Sequence, residues 1–217
     1  MKVEIHTLRY GSPRWLVECA ATLDAWTGRH GYPLRIWTEK DDKPGYPCLK
    51  FCMTEMWKTF AEGDSDWMVY IDGDIYVHPD APKMEFLGDE TKVLMPKSPK
   101  KSSKGFRFWY YSAYRNRRVA IPRSWWMRNA GWMAINRASV EKLLEMVRKP
   151  YHSGTQDEWQ VNSWLMEAHV KRGLQVKSPP KIWHRFYWLS APGWMWHLAR
   201  MADKNDKLET VKRKIAA

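Results

Sequence analysis

Residues 67–74 read WMVYIDGD, and the fold class follows from this short stretch. Its first five residues are apolar or aromatic without interruption, which is the length of one strand. A strand that is apolar on both faces is typical of a parallel sheet covered by helices on each side. Asp72-Gly73-Asp74 follows at once. Because ligands of open α/β sheets bind beyond the carboxyl ends of the strands, these two carboxylates are expected at a ligand site.

The rest of the chain alternates between strand-like and helix-like segments. Further strands are predicted over residues 2–8, 34–37, 92–95, 132–135 and 182–189, and helices over 15–26, 48–60, 139–147, 157–169 and 203–215. This alternation predicts an α/β fold with a mostly parallel central sheet flanked by helices. The 217 residues contain no internal repeat and no linker, so we expect a single domain over residues 1–217.

The composition excludes several classes of protein. A hydrophobic fraction of 44% and a charged fraction of 28% exclude a disordered chain and a fibrous repeat. The odd cysteine count, Cys19, Cys48 and Cys52, argues against a disulfide framework and for a reducing compartment. The N-terminus lacks the apolar run of a signal peptide, and no stretch reaches the ~18 apolar residues of a membrane span. These features predict a cytoplasmic protein.

The net charge of +12 comes from one segment of the chain. Residues 91–140 contain twelve lysines and arginines and no acidic residue, and aromatic residues stand between the cations. This pattern suits a phosphate backbone with stacked bases, an anionic glycan or a membrane surface, and it is also compatible with a solvated loop. The candidate contacts to an anionic acceptor or nucleic acid are Lys100, Lys101, Lys104, Arg107, Trp109, Arg115, Arg117, Arg118, Trp125 and Trp126.

Asp72 and Asp74 form a candidate metal site. Residues i and i+2 of an extended segment face the same way, so both carboxylates can hold one hard divalent ion. Such an ion can neutralise a diphosphate. Asp-Gly is also common turn chemistry, which leaves a purely structural turn as the alternative.

Three further motifs follow this segment in a fixed order. They are NAGWMAIN at residues 129–136, DEWQVN at 157–162 and His184 within IWHRF at 182–186. Together with YIDGDIYVHPDA at 70–81, they resemble the GT-A fold glycosyltransferases, both family 8 and the small viral enzymes with a single GT-A domain. The resemblance spans residues 1 to about 190. Two departures are Glu158, where family 8 has Gln, and the missing Lys-Pro-Trp after the histidine.

The resemblance implies a metal-dependent transfer from a UDP-sugar donor. Residues 1–75 would be the nucleotide-binding half that ends in the D-x-D motif, and the ion would be Mn²⁺ or Mg²⁺. Asp72, Asp74 and His184 would bind the metal, with His197 as the weaker substitute for His184. Thr7, Leu8, Lys50, Asp72, Asn129 and Gly131 would bind the donor. Each has a structural alternative, such as a plain strand, a solvated helix lysine or a histidine packed among aromatic side chains.

Asp157 and Glu158 are the candidates for catalysis. One of them would be the general base if transfer inverts the sugar, because a base must reach the acceptor hydroxyl. Adjacent helix residues point about 100° apart, so only one of the two is expected to face the site. If transfer retains the stereochemistry, neither is needed as a base. The alternative is a pair of acids at a helix start, favoured by the macrodipole.

The acceptor and the function class follow from the basic segment at 91–140, which the resemblance places on the acceptor side. The favoured acceptor is a hydroxymethylated pyrimidine in DNA, which offers a hydroxyl, phosphates and a base that can be flipped. The alternatives are a glycan or lipid-linked saccharide as acceptor, and a non-catalytic nucleic-acid-binding module. A P-loop kinase is disfavoured because no G-x-x-x-x-G-K-[ST] motif occurs. Residues 203–217 are predicted to form a basic helical tail, and the likeness to viral enzymes also suggests the cytoplasm of a virus-infected host cell.

Overall fold

The structure, a computed structural model, describes residues 1–41, 52–88, 91–98, 110, 120–122, 125–147, 157–186, 192–198 and 203–216. The helices within these ranges are α1 Arg14–His30, α2 Cys52–Glu62, α3 Arg137–Leu144, α4 Asp157–Arg172 and α5 Lys204–Ala216, with a short 3₁₀ turn at Glu39–Asp41. The strands are β1 Val3–Leu8, β2 Leu34–Trp37, β3 Trp67–Ile71, β4 Ile75–Val77, β5 Lys92–Leu94, β6 Trp132–Asn136, β7 Gln175–Lys177, β8 Arg185–Phe186 and β9 Met195–His197. None of the described helices is long and apolar enough to cross a membrane.

The main sheet has the strand order β2-β1-β3-β6-β5-β7. Five of its six strands run the same way, because β6 is antiparallel to both neighbours and every other pair is parallel. The predicted α/β fold with a mostly parallel sheet is therefore confirmed. A second sheet of three short strands, in the order β4-β9-β8, follows the carboxyl end of β3.

Strand β3 is buried on both faces, as its uninterrupted apolar sequence predicts. Successive side chains of a strand point to opposite faces. Met68 and Tyr70 accordingly pack with α2, α3 and α4 on one side, and Trp67, Val69 and Ile71 pack with α1 on the other. The helix layers on both sides fix the direction of β3, and with it the place where Asp72 and Asp74 emerge.

Helix α5 lies against α1 through a small apolar contact. Leu208 and Val211 pack with Cys19, Trp196 and Leu198, all of them buried. Burial raises the pKa of the Cys19 thiol well above its usual range, as expected of a packed, unreactive cysteine. The predicted helix in the tail is confirmed, and it is docked on the domain.

Most of the predicted elements agree with the structure, and three short strands were missed. Strands β2 and β3 have the predicted bounds. The helix predicted from residue 139 begins at Arg137 instead, because the Asn136 side chain accepts a hydrogen bond from Ser139 N (3.0 Å) and caps it. Strands β4, β7 and β9 were not predicted, since three residues are too few to show a period. Residues 48–51 of the second predicted helix lie outside the described ranges.

Candidate metal centre and donor site

The Asp72-Gly73-Asp74 segment is the turn that joins the two sheets. The main-chain N–H of Asp72 donates to Gly131 O (2.7 Å) on the β6 side, and Ile75 N–H donates to Asp72 O (3.0 Å) to close the turn. The Asp72 carboxylate is held in place because its Oδ1 accepts from Gly73 N–H (3.1 Å) and from the Tyr70 hydroxyl (3.2 Å). The geometry of this segment is thus compatible both with a structural turn and with a metal-binding motif.

Gly73 packs directly on the end of β1. A Cβ atom at this position would overlap the main-chain oxygen of Leu8 and would lie 2.8 Å from Leu16 Cδ1. Since backbone cannot move aside as a side chain can, this position requires glycine. The close approach brings the two carboxylates to the carboxyl ends of β1 and β3 together.

Three candidate metal ligands converge at this edge. Asp72, Asp74 and His197 each offer one ligand atom, and these atoms all lie within 4.8 Å of one another in the described part of the chain. Asp74 and His197 are buried and Asp72 is half-buried. His197 reaches the site because β9 pairs with β4 in a register that sets His197 opposite Ile75. Two carboxylates and one imidazole can hold a divalent metal ion, so the residues fit the predicted metal site.

His184 lies behind His197 rather than in the ligand group. The two imidazole rings meet edge to face with centroids 5.4 Å apart. Burial, followed by the neighbouring His197, keeps the pKa of His184 well below its usual value. The geometry therefore favours His197, the weaker candidate at the level of sequence, over His184 as third ligand.

Asp74 also faces a lysine that the sequence analysis did not single out. His197 Nε2 lies 3.2 Å from Asp74 Oδ1, and Lys204 Nζ lies 3.0 Å from Oδ2. Burial alone would raise the pKa of Asp74, but the charges and hydrogen bonds of His197 and Lys204 outweigh it and hold that pKa well below its usual range. No local pattern singles out Lys204, which is one of four lysines in the polar helix α5.

The Asn-Ala-Gly motif packs against His197. Gly131 N–H donates to Asn129 Oδ1 (3.1 Å), and a Cβ on Gly131 would lie 2.5 Å from His197 Cε1. The motif is anchored by Asn162 of α4, whose Oδ1 accepts from Arg128 N–H (2.8 Å) and whose Nδ2 donates to Arg128 O (2.9 Å). The last residue of DEWQVN is thus a positioning residue, which sequence reasoning quoted but gave no role.

The predicted donor and catalytic residues are brought together only in part. Thr7 and Leu8 are buried at the end of β1, beside Gly73. Asp157 and Glu158 begin α4, but their side chains lie outside what the structure describes. Lys50 also lies outside the described residues, as do Lys100, Lys101, Lys104, Arg107, Trp109, Arg115, Arg117 and Arg118.

The two described tryptophans among the predicted acceptor contacts differ in surroundings. Trp125 is only 8% exposed and belongs to the main core, so its indole serves packing and is not a stacking surface for an acceptor. Trp126 is half-buried, donates from Nε1 to Ser98 O (3.1 Å), and has Lys97 Nζ 5.3 Å from the centroid of its ring. Of the two, Trp126 keeps the surface that an acceptor needs.

Two arginines of the basic segment are structural. The Arg128 guanidinium donates to the main-chain oxygens of Met95 (3.2 Å) and Val176 (3.1 Å). That of Arg137 donates to Ala61 O (2.8 Å) and Ser65 O (2.6 Å). Their charges stabilise backbone carbonyls inside the fold, so the cations available to an acceptor are fewer than the twelve in the sequence.

The fold is similar to those of known glycosyltransferases. A glycosyltransferase involved in the glycosylation of the major capsid of PBCV-1 matches with a TM-score of 0.58 and 12% identity, over 99% of this chain and 100% of that one. The bifunctional glycosyltransferase WbbM in its apo form matches with a TM-score of 0.59 and 12% identity, over 99% of this chain and 51% of that one. The apo glycosyltransferase GlyE of Streptococcus pneumoniae TIGR4 matches with a TM-score of 0.55 and 10% identity, over 100% of this chain and 62% of that one.

Sequence comparison alone finds no such relationship, because no protein-family model and no curated protein matches the chain. At 10–12% identity the structural likeness establishes the fold and nothing finer. The chain has a glycosyltransferase fold, with an Asp-Asp-His group that can hold a metal ion at the edge where the strands of its sheet end.

Proposed function

We propose that this protein is a metal-dependent glycosyltransferase that moves a sugar from a UDP-sugar to a hydroxyl group on an anionic acceptor. The observation that carries the proposal is the convergence of Asp72, Asp74 and His197 beyond β3, in a fold shared with glycosyltransferases. These residues would hold Mn²⁺ or Mg²⁺. The bound ion would supply charge neutralisation for the diphosphate leaving group.

The chain prepares these ligands before any ion binds. Tyr70 and the Gly73 N–H orient the Asp72 carboxylate, and Gly131 leaves the space that the His197 ring occupies. Ligands fixed in this way lose little freedom when the ion binds, which favours binding.

The donor is proposed to lie across the ends of β1 and β6. Thr7 and Leu8 flank the Asp72 turn on one side, and Asn129 and Gly131 flank His197 on the other. Nucleotide contacts are assigned to the first pair and sugar contacts to the second. Lys50 stays a predicted donor contact.

The placement of α4 supports Asp157 or Glu158 as the residue that meets the reacting sugar. Asn162 fastens α4 to Arg128, the residue just before Asn129. Asp157 begins the same helix five residues earlier, about 7.5 Å along its axis. This link between α4 and the Asn-Ala-Gly motif is what supports the start of α4 as part of the proposed sugar site.

The acceptor is proposed to be DNA that carries a hydroxymethylated pyrimidine. The eight lysines and arginines between residues 100 and 123 have no acidic residue among them to neutralise their charge. Trp126 adds an aromatic surface at the end of this run. Phosphates would meet the cations, and a flipped base would present its hydroxymethyl group to the sugar.

Catalysis is tested by supplying a panel of nucleotide sugars with Mn²⁺ and measuring nucleotide release and transfer to hydroxymethylcytosine-containing DNA. Asp74→Asn is expected to lose at least about 100-fold in rate, because it removes a proposed metal ligand. Asp80→Asn is the matched control: it is the same substitution six residues away, on a side chain that is 84% exposed. Equal activity in the wild type and Asp74→Asn would refute the proposal.

The acceptor is tested by repeating the transfer at 50 and 200 mM salt with DNA and with a neutral oligosaccharide. Transfer to DNA is expected to fall by about tenfold or more, in proportion to the phosphates contacted. Salt-independent transfer to the neutral sugar would replace DNA by a glycan acceptor. DNA binding that survives Asp74→Asn, needs no Mn²⁺ and is accompanied by no transfer would indicate a non-catalytic binding module.

A further inference from the structure

Lys204 lies in the candidate metal centre, at the first residue of α5. Its ammonium group is 3.0 Å from Asp74 Oδ2 and 4.0 Å from the centroid of the Trp15 ring. The side chain is 15% exposed, and that of Asp74 is 9% exposed. A lysine thus sits between an aromatic face on α1 and a carboxylate proposed to bind the metal.

The position of Lys204 is not explained by the helix that carries it. A cation in the first turn of a helix is repelled by the positive end of the macrodipole. The chain also enters α5 through Asp203 with φ of 56°, a backbone conformation that is uncommon outside glycine. The contact with Asp74 offsets both costs, since a buried carboxylate without a nearby cation is unfavourable.

We infer that Lys204 is a resident counter-ion that holds Asp74 when no divalent ion is bound, and that the ion must displace it to bind. This inference rests on the proposed metal site at Asp72, Asp74 and His197. A divalent ion on Asp74 would stand within a few ångströms of the ammonium group, where two positive charges repel strongly in a buried site. Lys204 and the metal would therefore compete for the charge of Asp74.

Displacement of Lys204 frees only the first turn of α5. Further along, Leu208 and Val211 stay packed with Cys19, Glu209 stays paired with Arg14 (2.5 Å), and Lys212 stays paired with Glu18. The helix as a whole remains docked. Metal binding is thus coupled to the freedom of residues 204–207 at the rim of the site.

The inference is tested by titrating Mn²⁺ alone into four proteins and measuring affinity by calorimetry or by the electron spin resonance of free Mn²⁺. Lys204→Met is expected to bind Mn²⁺ about tenfold more tightly or better than the wild type, because the competing charge is gone. Lys204→Arg keeps the charge and should stay near wild-type affinity. Lys212→Met is the matched control, since it makes the same substitution on the same helix and breaks an ion pair remote from Asp74.

Hydrogen exchange gives a second measurement, made on the wild type and on Lys204→Met. Mn²⁺ is expected to speed exchange of the Lys207 amide in the wild type, which donates to Asp203 O (3.1 Å), and to leave the rest of the helix unchanged. Lys204→Met should show this fast exchange already without Mn²⁺. Thermal unfolding verifies that each variant is folded.

The outcomes separate this inference from the proposed function. If the wild type binds Mn²⁺ and Lys204→Met binds it equally or more weakly, the counter-ion role is wrong and the metal site stands. If neither the wild type nor Lys204→Met binds Mn²⁺, the proposed metal-dependent function fails and the inference fails with it. Binding by Lys204→Met with none by the wild type would support the inference in its strongest form.

Discussion

Replacing Gly131 by alanine is expected to weaken metal binding without touching a ligand. Gly131 lies under the imidazole of His197, and an added Cβ would lie 2.5 Å from His197 Cε1. Its backbone is not in the left-handed region that favours glycine, so the substitution acts through contacts of the added Cβ, of which the next closest is with Asn129 Oδ1 at 3.1 Å. The ring must move, because no other atom that the methyl group meets is so close.

The size of the effect follows from the distances. Carbon atoms in contact sit about 3.5–4.0 Å apart, so the imidazole must retreat by about 1 Å. Metal–ligand distances tolerate about 0.2 Å, so this movement takes His197 out of range of an ion held by Asp72 and Asp74. We expect Mn²⁺ affinity to fall by about 10- to 100-fold, the range found when the support of a ligand is lost. Overpacking should cost about 1–3 kcal/mol of unfolding free energy.

The assay is a Mn²⁺ titration followed by electron spin resonance, with urea unfolding of each protein in parallel. Gly28→Ala is the matched control, because its Cβ would meet nothing within 4 Å and it lies inside α1. This control should keep wild-type affinity and gain up to about 1 kcal/mol of stability from helix propensity. A folded Gly131→Ala protein with wild-type Mn²⁺ affinity would contradict the assignment of His197 as a ligand.

Four further substitutions test the site and its support. His197→Ala should lower Mn²⁺ affinity by about 100-fold and His184→Ala by about tenfold or less, since only the first removes a proposed ligand; both are measured by the same titration. Asp74→Asn should lower the unfolding free energy by about 3–5 kcal/mol at pH 7, because it breaks a buried ion pair. Because the fold holds the pKa of Asp74 low, this stabilisation is present above about pH 4 and is lost as the pH falls below it. In urea unfolding from pH 7 to pH 2, the difference in unfolding free energy between the wild type and Asp74→Asn should therefore shrink. Gly73→Ala should cost about 3 kcal/mol or more, because its Cβ would overlap the main-chain oxygen of Leu8.

Each of these has a result that contradicts it. A larger loss in His184→Ala than in His197→Ala would return the ligand role to His184. If the difference in unfolding free energy between the wild type and Asp74→Asn stays constant down to pH 2, Asp74 is not held as an anion in the fold. A Gly73→Ala protein as stable as the wild type would show that Gly73 does not pack tightly against the end of β1.

The central sheet could be predicted because its information is local. The residues of β3 are apolar on both faces, and β1 and β2 are bounded by clear turn residues, so each is recognisable by itself. The place of Asp72 and Asp74 followed from β3, since a motif at the end of a central strand has only one location in such a sheet.

The choice between His184 and His197 could not be made from local sequence. It depends on the pairing of β4 with β9, which brings together residues more than 100 positions apart. Both histidines stand among tryptophans, and the family pattern pointed to the first of them. The role of Lys204 was hidden for a similar reason, because a lysine at the start of a polar helix looks like a solvated charge until its neighbour Asp74 is known.

The basic segment shows a different limit. Counting charges treats every cation as available, whereas Arg128 and Arg137 are used inside the fold to hold backbone carbonyls. Burial of Trp125 likewise follows from packing with side chains distant in sequence, such as His169, whose ring centroid is 5.8 Å away. The anionic acceptor therefore stays a prediction from composition, and the individual contacts depend on how the chain folds.

Calorimetric titration of UDP into the wild type and Asp74→Asn, each with and without Mn²⁺, would decide whether this is a metal-dependent nucleotide-sugar site. The site described above predicts binding by the wild type with Mn²⁺ and markedly weaker binding when either the ion or Asp74 is missing. Equal affinity in all four titrations, or no binding in any of them, would contradict the proposal that Asp72, Asp74 and His197 form a metal-dependent donor site.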